Sequence, residues 1–266
     1  HMLRNCFDSV IKFTQPRYLT DFNPNGYNNH PAFFDKDNVY ISSQLPSQSQ
    51  PELYMLDLKN NTKTRVTRTA EGEFSPFRMP DYYSFSAIRQ EISGRDTVLR
   101  LWQFPMDRMS NGRPVFKYLT GIGYYYWLNA YQVAIFKVDT PSSLGIADVR
   151  TDEVNTIATE VGRCIRTLPN GNLLYVKKSD YEAWQLVQLN LYNQQRIPLI
   201  PTVPGVEDFT VLPDGTILMG KGSKLFKFHP RKDRAWLEVA DLRFYEITNI
   251  TRLAVSSDNK IAIVAD

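Results

Sequence analysis

The chain has 266 residues, 42% hydrophobic and 22% charged, with 15 Tyr and 15 Phe. That balance supports a packed core, argues against wholesale disorder, and its aromatic richness favours strands. The net charge is +3 with the basic residues scattered, which speaks against a nucleic-acid surface, since such surfaces carry a basic stripe or run.

No run of roughly 18 apolar residues occurs, so no membrane-spanning helix is expected. His1-Met2 reads as a cloning remnant, and the domain is expected to cover residues 3–266, any targeting segment having been lost with the native start. Cys6 and Cys164 are too few for a disulfide framework and lack a C-x-x-C spacing, so they read as buried or half-buried thiols.

In chain order, two short segments come first, Cys6 to Phe13 and Arg17 to Thr20. A repeat follows. Apolar strand, tight turn and apolar strand recur at Phe33, Phe77, Trp127, Thr167, Val211 and Val255, spaced by 44, 50, 40, 44 and 44 residues. The turns carry Asp37-Asn38, Asn170-Gly171, Asp214-Gly215 and Asp258-Asn259, residue types that tolerate positive φ in hairpins. The second and third repeats show Met79-Pro80-Asp81 and Leu128-Asn129-Ala130 instead.

The second strands are expected at Val39 to Ser42, Tyr83 to Ala87, Val133 to Phe136, Leu173 to Val176, Ile217 to Met219 and Ile261 to Val264. Third strands follow at Glu52 to Leu58, Val98 to Phe104, Leu144 to Val149, Trp184 to Leu191 and Leu225 to Phe228. Fourth strands, shorter and more polar, fall at Lys63 to Thr67, Val115 to Leu119, Thr156 to Thr159, Ile197 to Ile200 and Trp236 to Val239. Four antiparallel strands per repeat of about 44 residues make a propeller blade.

The last repeat stops after two strands, and residues 6–20 offer two more. The expectation is therefore an all-β, six-bladed β-propeller whose sixth blade is shared between the N- and C-terminal strands.

The hairpins, the strand Leu53-Tyr54-Met55-Leu56-Asp57-Leu58 and the ending Lys63-Thr64-Arg65-Val66-Thr67 resemble the WD40-like (PD40) repeats of TolB-type six-bladed propellers. The resemblance covers residues 6–266 and implies a periplasmic or secreted protein. It is specific for fold and says little of function.

Catalytic signatures are missing: there is no G-x-S-x-G, H-E-x-x-H, G-x-x-x-x-G-K-[ST] or G-x-G-x-x-G. Gly220-Lys221-Gly222-Ser223-Lys224 resembles a phosphate cradle with the wrong spacing and reads as a hairpin turn. His229, beside Pro230, reads as an exposed loop residue.

Propeller geometry gathers the starts of the inner strands at one channel mouth. The candidate binding residues there are Asn29, His30, Glu73, Tyr124, Tyr125, Arg163, Glu207, Asp208 and Arg252; no catalytic residue is assigned.

The leading expectation is a monomeric, non-catalytic scaffold that presents this mouth to a protein or peptide partner without a cofactor. The first alternative is a calcium-dependent hydrolase or lyase using Glu73, Glu207, Asp208 and Asn29, because calcium takes about 6–8 oxygen ligands. Arg163 and Arg252 oppose such a cation. The second alternative is carbohydrate binding on the Tyr124-Tyr125-Tyr126-Trp127 rings.

Overall fold

The computed structural model describes residues 2–3, 11, 13, 16–179 and 183–265. Its regular structure is almost wholly β. The chain forms two compact units, residues 20–159 and residues 1–19 with 160–266, the second of which includes the strand β1 (Met2–Leu3).

The 20–159 unit holds three four-stranded antiparallel sheets. The first is β2 (Tyr27–Phe33), β3 (Asn38–Gln44), β4 (Glu52–Asp57) and β5 (Thr62–Arg65). The second is β6 (Gly72–Arg78), β7 (Ser84–Ser93), β8 (Asp96–Pro105) and β9 (Arg113–Pro114). The third is β10 (Ile122–Trp127), β11 (Gln132–Lys137), β12 (Ser143–Asp148) and β13 (Val154–Thr159).

The other unit holds two more four-stranded sheets. They are β14 (Val161–Thr167), β15 (Leu173–Lys177), β16 (Gln185–Leu189), β17 (Arg196–Pro201), and β18 (Phe209–Val211), β19 (Ile217–Lys221), β20 (Lys224–Phe228), β21 (Leu237–Asp241). A three-stranded sheet, ordered β1, β23 (Ile261–Ala265), β22 (Ile250–Val255), completes it.

Among the described residues five four-stranded blades are present, not the six expected. Met2 and Leu3 pair with Ala262 and Ile261, so this edge is carried by the first residues of the chain. Residues 17–20 form no strand; of Cys6 to Phe13, only Ile11 and Phe13 are described.

The order of polarity along each repeat has a packing cause. The second strands β3, β7, β11, β15 and β19 each carry three to five consecutive buried residues, so both faces are covered there and the residues are mostly apolar. The fourth strands β5, β13, β17 and β21 are largely exposed, which explains their polar composition.

Asx turns set the hairpins. Asp35 Oδ1 accepts the N–H groups of Asp37 and Asn38 at 2.8 Å. Asp81 does the same for Tyr83 and Ser84, and Asn129 for Tyr131 and Gln132. The second and third repeats thus keep their glycine-free turns through a side-chain acceptor that stands in for backbone, as the first does with Asp35.

The fourth strand of the second blade departs from expectation. Val115 to Leu119 was the predicted strand, whereas β9 spans Arg113–Pro114. Phe116 is fully buried in a cluster with Met79, Ile88, Leu101 and Ile122, and an inward anchor of that size ends the alternation.

Candidate functional site

Two clusters gather the residues expected at the mouth, one in each unit. In the 20–159 unit, the first strand of every blade breaks register against its neighbour, between Asn29 and Ala32, Phe74 and Phe77, and Ile122 and Tyr124. Bulges re-aim side chains. His30 and Ser75 hold φ of 55° and 52°, each directly before a proline, a left-handed conformation uncommon for residues other than glycine.

The bulges bring rings together, those of His30, Phe74, Tyr124 and Phe136 half-buried and that of Tyr27 exposed. His30 meets Phe74 edge-on at 5.8 Å, Tyr124 at 6.0 Å and Tyr27 at 6.3 Å between centroids. Tyr27 meets Phe74 at 6.3 Å, and Tyr124 meets Phe136 at 5.8 Å. These edge-to-face contacts suit the ring quadrupoles. Asn29 sits beneath, its Oδ1 accepting the His30 N–H at 2.7 Å.

Alternation along β10 splits its aromatic run. Tyr125 and Trp127 are buried, where a chain of hydrogen bonds fixes them: Trp127 Nε1 donates to Ser86 Oγ at 2.9 Å, Ser86 Oγ lies 2.9 Å from the Tyr125 hydroxyl, and that hydroxyl donates to the Ser75 carbonyl at 2.9 Å. Burial pushes the Tyr125 phenol up from its ordinary pKa. Tyr125 is therefore the support of the aromatic face, while Tyr124 belongs to the face itself.

Glu73 is fully buried. Its Oε1 accepts Arg89 Nε at 3.0 Å and lies 2.8 Å from Thr69 Oγ1. Burial pushes its carboxyl up to about 7, against the opposing pull of Thr69 and Arg89.

In the other unit, Arg163 and Arg252 flank Asp208. Arg163 Nε donates to Asp208 Oδ2 at 2.9 Å, and Arg252 Nη1 lies 3.6 Å from Oδ1. Glu207 Oε2 takes Lys178 Nζ at 2.8 Å and the Arg163 N–H at 3.1 Å. Arg163, Glu207, Asp208 and Arg252 line a cleft of about 490 Å³ with Lys221 and Thr251. Among the described residues, no group of three or more His, Cys, Asp or Glu side chains is placed to hold a metal ion. The carboxylates here already face guanidinium and ammonium groups.

His229, expected in an exposed loop, is buried: its Nδ1 accepts the Arg231 N–H at 3.1 Å and its Nε2 lies 3.3 Å from the Asp214 carbonyl. Cys164 is a buried free thiol against the Phe209 carbonyl. Gly220 to Lys224 does form the β19–β20 hairpin, with Gly222 at φ 57°.

Sequence reasoning missed Tyr27, Phe136, Ser86 and Lys178. A usable signal existed for the face: His30-Pro31 and Ser75-Pro76 are two X-Pro pairs one repeat apart.

No family model matches the sequence, and no curated protein matches it. Solved structures do. Putative TolB from Agrobacterium tumefaciens superposes with a TM-score of 0.66 at 10% identity, covering 91% of each chain. TolB from Acinetobacter baumannii gives 0.58 at 12%, covering 80% of this chain and 59% of its own length. The β-propeller domain of the Trilobed protease from Pyrococcus furiosus gives 0.55 at 12%, covering 91% and 80%. The chain therefore spans less than two thirds of the Acinetobacter protein. At such identities the likeness establishes the fold alone: this chain is an all-β propeller, similar in fold to the TolB proteins, with four antiparallel strands in each complete blade.

Proposed function

We propose that the chain is a binding scaffold that contacts a protein or peptide partner through the aromatic face of β2, β6 and β10. One observation carries the reading: the rings of Tyr27, His30, Phe74 and Tyr124 are clustered, Tyr27 exposed and the other three half-buried, on bulges that hold strained backbone at His30 and Ser75. Rigid rings with polar tips bury large area at low entropic cost, which is the chemistry of interface anchors. The TolB-like fold supports a periplasmic or secreted location.

The metal-assisted alternative draws on Glu207 and Asp208 in the other unit, and the arginines on Asp208 weigh against it. The carbohydrate alternative keeps Tyr124 and loses Tyr125 and Trp127, which are interior.

The test is affinity capture with the purified chain, followed by titration of the captured partner against wild type, Phe74→Ala and Tyr124→Ala. The reading expects each variant to weaken binding at least about tenfold, the loss of one anchor of about 1.4 kcal/mol or more. A captured partner that binds both variants as tightly as wild type overturns it.

A further inference from the structure

Beneath the aromatic face, two buried carboxylates share one residue. Thr69 donates its N–H to Glu52 Oε1 at 2.9 Å, and its hydroxyl lies 2.8 Å from Glu73 Oε1. Glu52 and Glu73 are almost entirely shielded from solvent, at 2% and 0% exposure. The second oxygen of each, Oε2, is buried with no hydrogen-bond partner among the described residues, as is Arg89 Nη2.

The hydrogen count at Thr69 bears on the protonation of Glu73. Thr69 Oγ1 also lies 2.9 Å from the Glu71 carbonyl, which only accepts. A hydroxyl has one hydrogen. If it serves the Glu71 carbonyl, the short contact to Glu73 is a hydrogen bond only when Glu73 itself carries the hydrogen. A neutral carboxyl also leaves a carbonyl-type acceptor unpaired at Oε2, which costs less than an unpaired carboxylate oxygen.

The surrounding charges are divided. Arg65 from β5 pairs with Glu52 at 2.8 Å. Arg89 from β7 gives Glu73 only its Nε and lies over the rings of Trp102 and Phe104 at 3.9 and 5.2 Å. Arg100 from β8, the cross-strand partner of Arg89, sits 3.8 Å from Glu91. Arg68 and Glu71 lie on the loop between β5 and β6. From β3, Ser42 donates to the Glu73 carbonyl at 2.6 Å, and from β2, His30 meets the neighbouring Phe74. Burial raising the Glu73 carboxyl, with Glu52 adding to it, points the same way.

We propose that Glu73 holds a proton in the folded chain, and that losing it loosens the β6 bulge carrying Phe74, so the aromatic face is sensitive to pH. Ionisation sets a second buried negative charge beside Glu52, at the residue preceding Phe74. The device rests on the Glu52, Thr69 and Glu73 geometry and stands whether or not the face binds a partner.

The test is carbon-detected NMR of the Glu73 side-chain carboxyl in the whole chain, titrated from about pH 4 to about pH 9, with amide exchange of β6 followed alongside. The expected midpoint is near neutrality. Exchange at Phe74 and Phe77 should accelerate more steeply above it than the tenfold per pH unit of base catalysis, and Glu73→Gln should remove that excess. Glu52→Gln should lower the Glu73 midpoint. A Glu73 carboxyl titrating in the ordinary glutamate range overturns the proposal, as does a midpoint indifferent to Glu52→Gln. Should Glu73→Gln fail to fold, the wild-type titration still decides.

Discussion

The hydrogen-bond chain under the aromatic face offers the sharpest prediction. Substituting Ser86→Ala changes little volume, so no large cavity confuses the result, yet it removes the oxygen that receives Trp127 Nε1 and lies beside the Tyr125 hydroxyl. Tyr125 retains the Ser75 carbonyl. Trp127, 4% exposed, is left with a buried N–H and no acceptor at that position, a loss of about 1–3 kcal/mol. With the second bond removed as well, the variant should unfold about 2–3 kcal/mol more easily in urea, with an unchanged denaturant slope. Adding Tyr125→Phe should then cost less than it does in wild type, because the two groups act in one chain, and the coupling should exceed about 0.5 kcal/mol. A Ser86→Ala loss below about 0.5 kcal/mol, or strict additivity with Tyr125→Phe, refutes the claim that these bonds fix β10 against β7.

Other consequences can be measured with the same purified chain. Glu73 is raised from 4.5 to about 7 in the folded state, so the native form binds more protons than the unfolded one between these values. Its contribution to stability, about 3 kcal/mol, is intact below pH 4.5 and is lost as pH rises through about 7; Glu73→Gln should flatten that part of the pH profile. Gly220→Ala would place a Cβ 2.3 Å from Ile250 Cγ2, and thermal melts should show overpacking of about 1–3 kcal/mol. Gln194, exposed at φ 60° in the β16–β17 turn, should tolerate Gln194→Gly with a gain of up to about 1 kcal/mol from relieved left-handed strain.

What the sequence disclosed and what it hid have one physical origin. Hairpins were legible because turn chemistry is local: Asp214 serves Thr216 two residues away, and Asn129 does the work of a missing glycine at Tyr131 and Gln132. Burial was not local. Glu73 looked like a polar mouth residue, but its surroundings come from Glu52, Thr69 and Arg89 on three other segments. Tyr125 and Trp127 could be assigned to opposite faces from Tyr124 and Tyr126 by alternation, while the face that is core depends on Ser86, some 39 residues from Tyr125. His30 and Ser75 ran against expectation, since a residue before proline favours extended backbone and both adopt positive φ.

The repeat nevertheless carried more information than blade count. Equivalent positions in consecutive repeats become neighbours on adjacent first strands, so a spacing near 44 predicts contacts as well as strands. Arg163 and Asp208 are 45 apart and ion-paired, and Asp208 and Arg252 are 44 apart and face each other. His30 and Phe74, also 44 apart, are in ring contact, and Arg78 Nη1 donates to the Phe34 carbonyl 44 residues before it. The beat fails at Tyr124, where the step stretches to 50 and the ring reaches past Phe74's repeat to His30. In that place the long β7–β8 hairpin has lengthened the repeat, and the aromatic face is assembled across it. The lengthened second blade thus carries Phe74 and stands in sequence between the repeats of His30 and Tyr124, whose rings meet in the candidate face, as expected if variation in a repeat fold concentrates where binding is built.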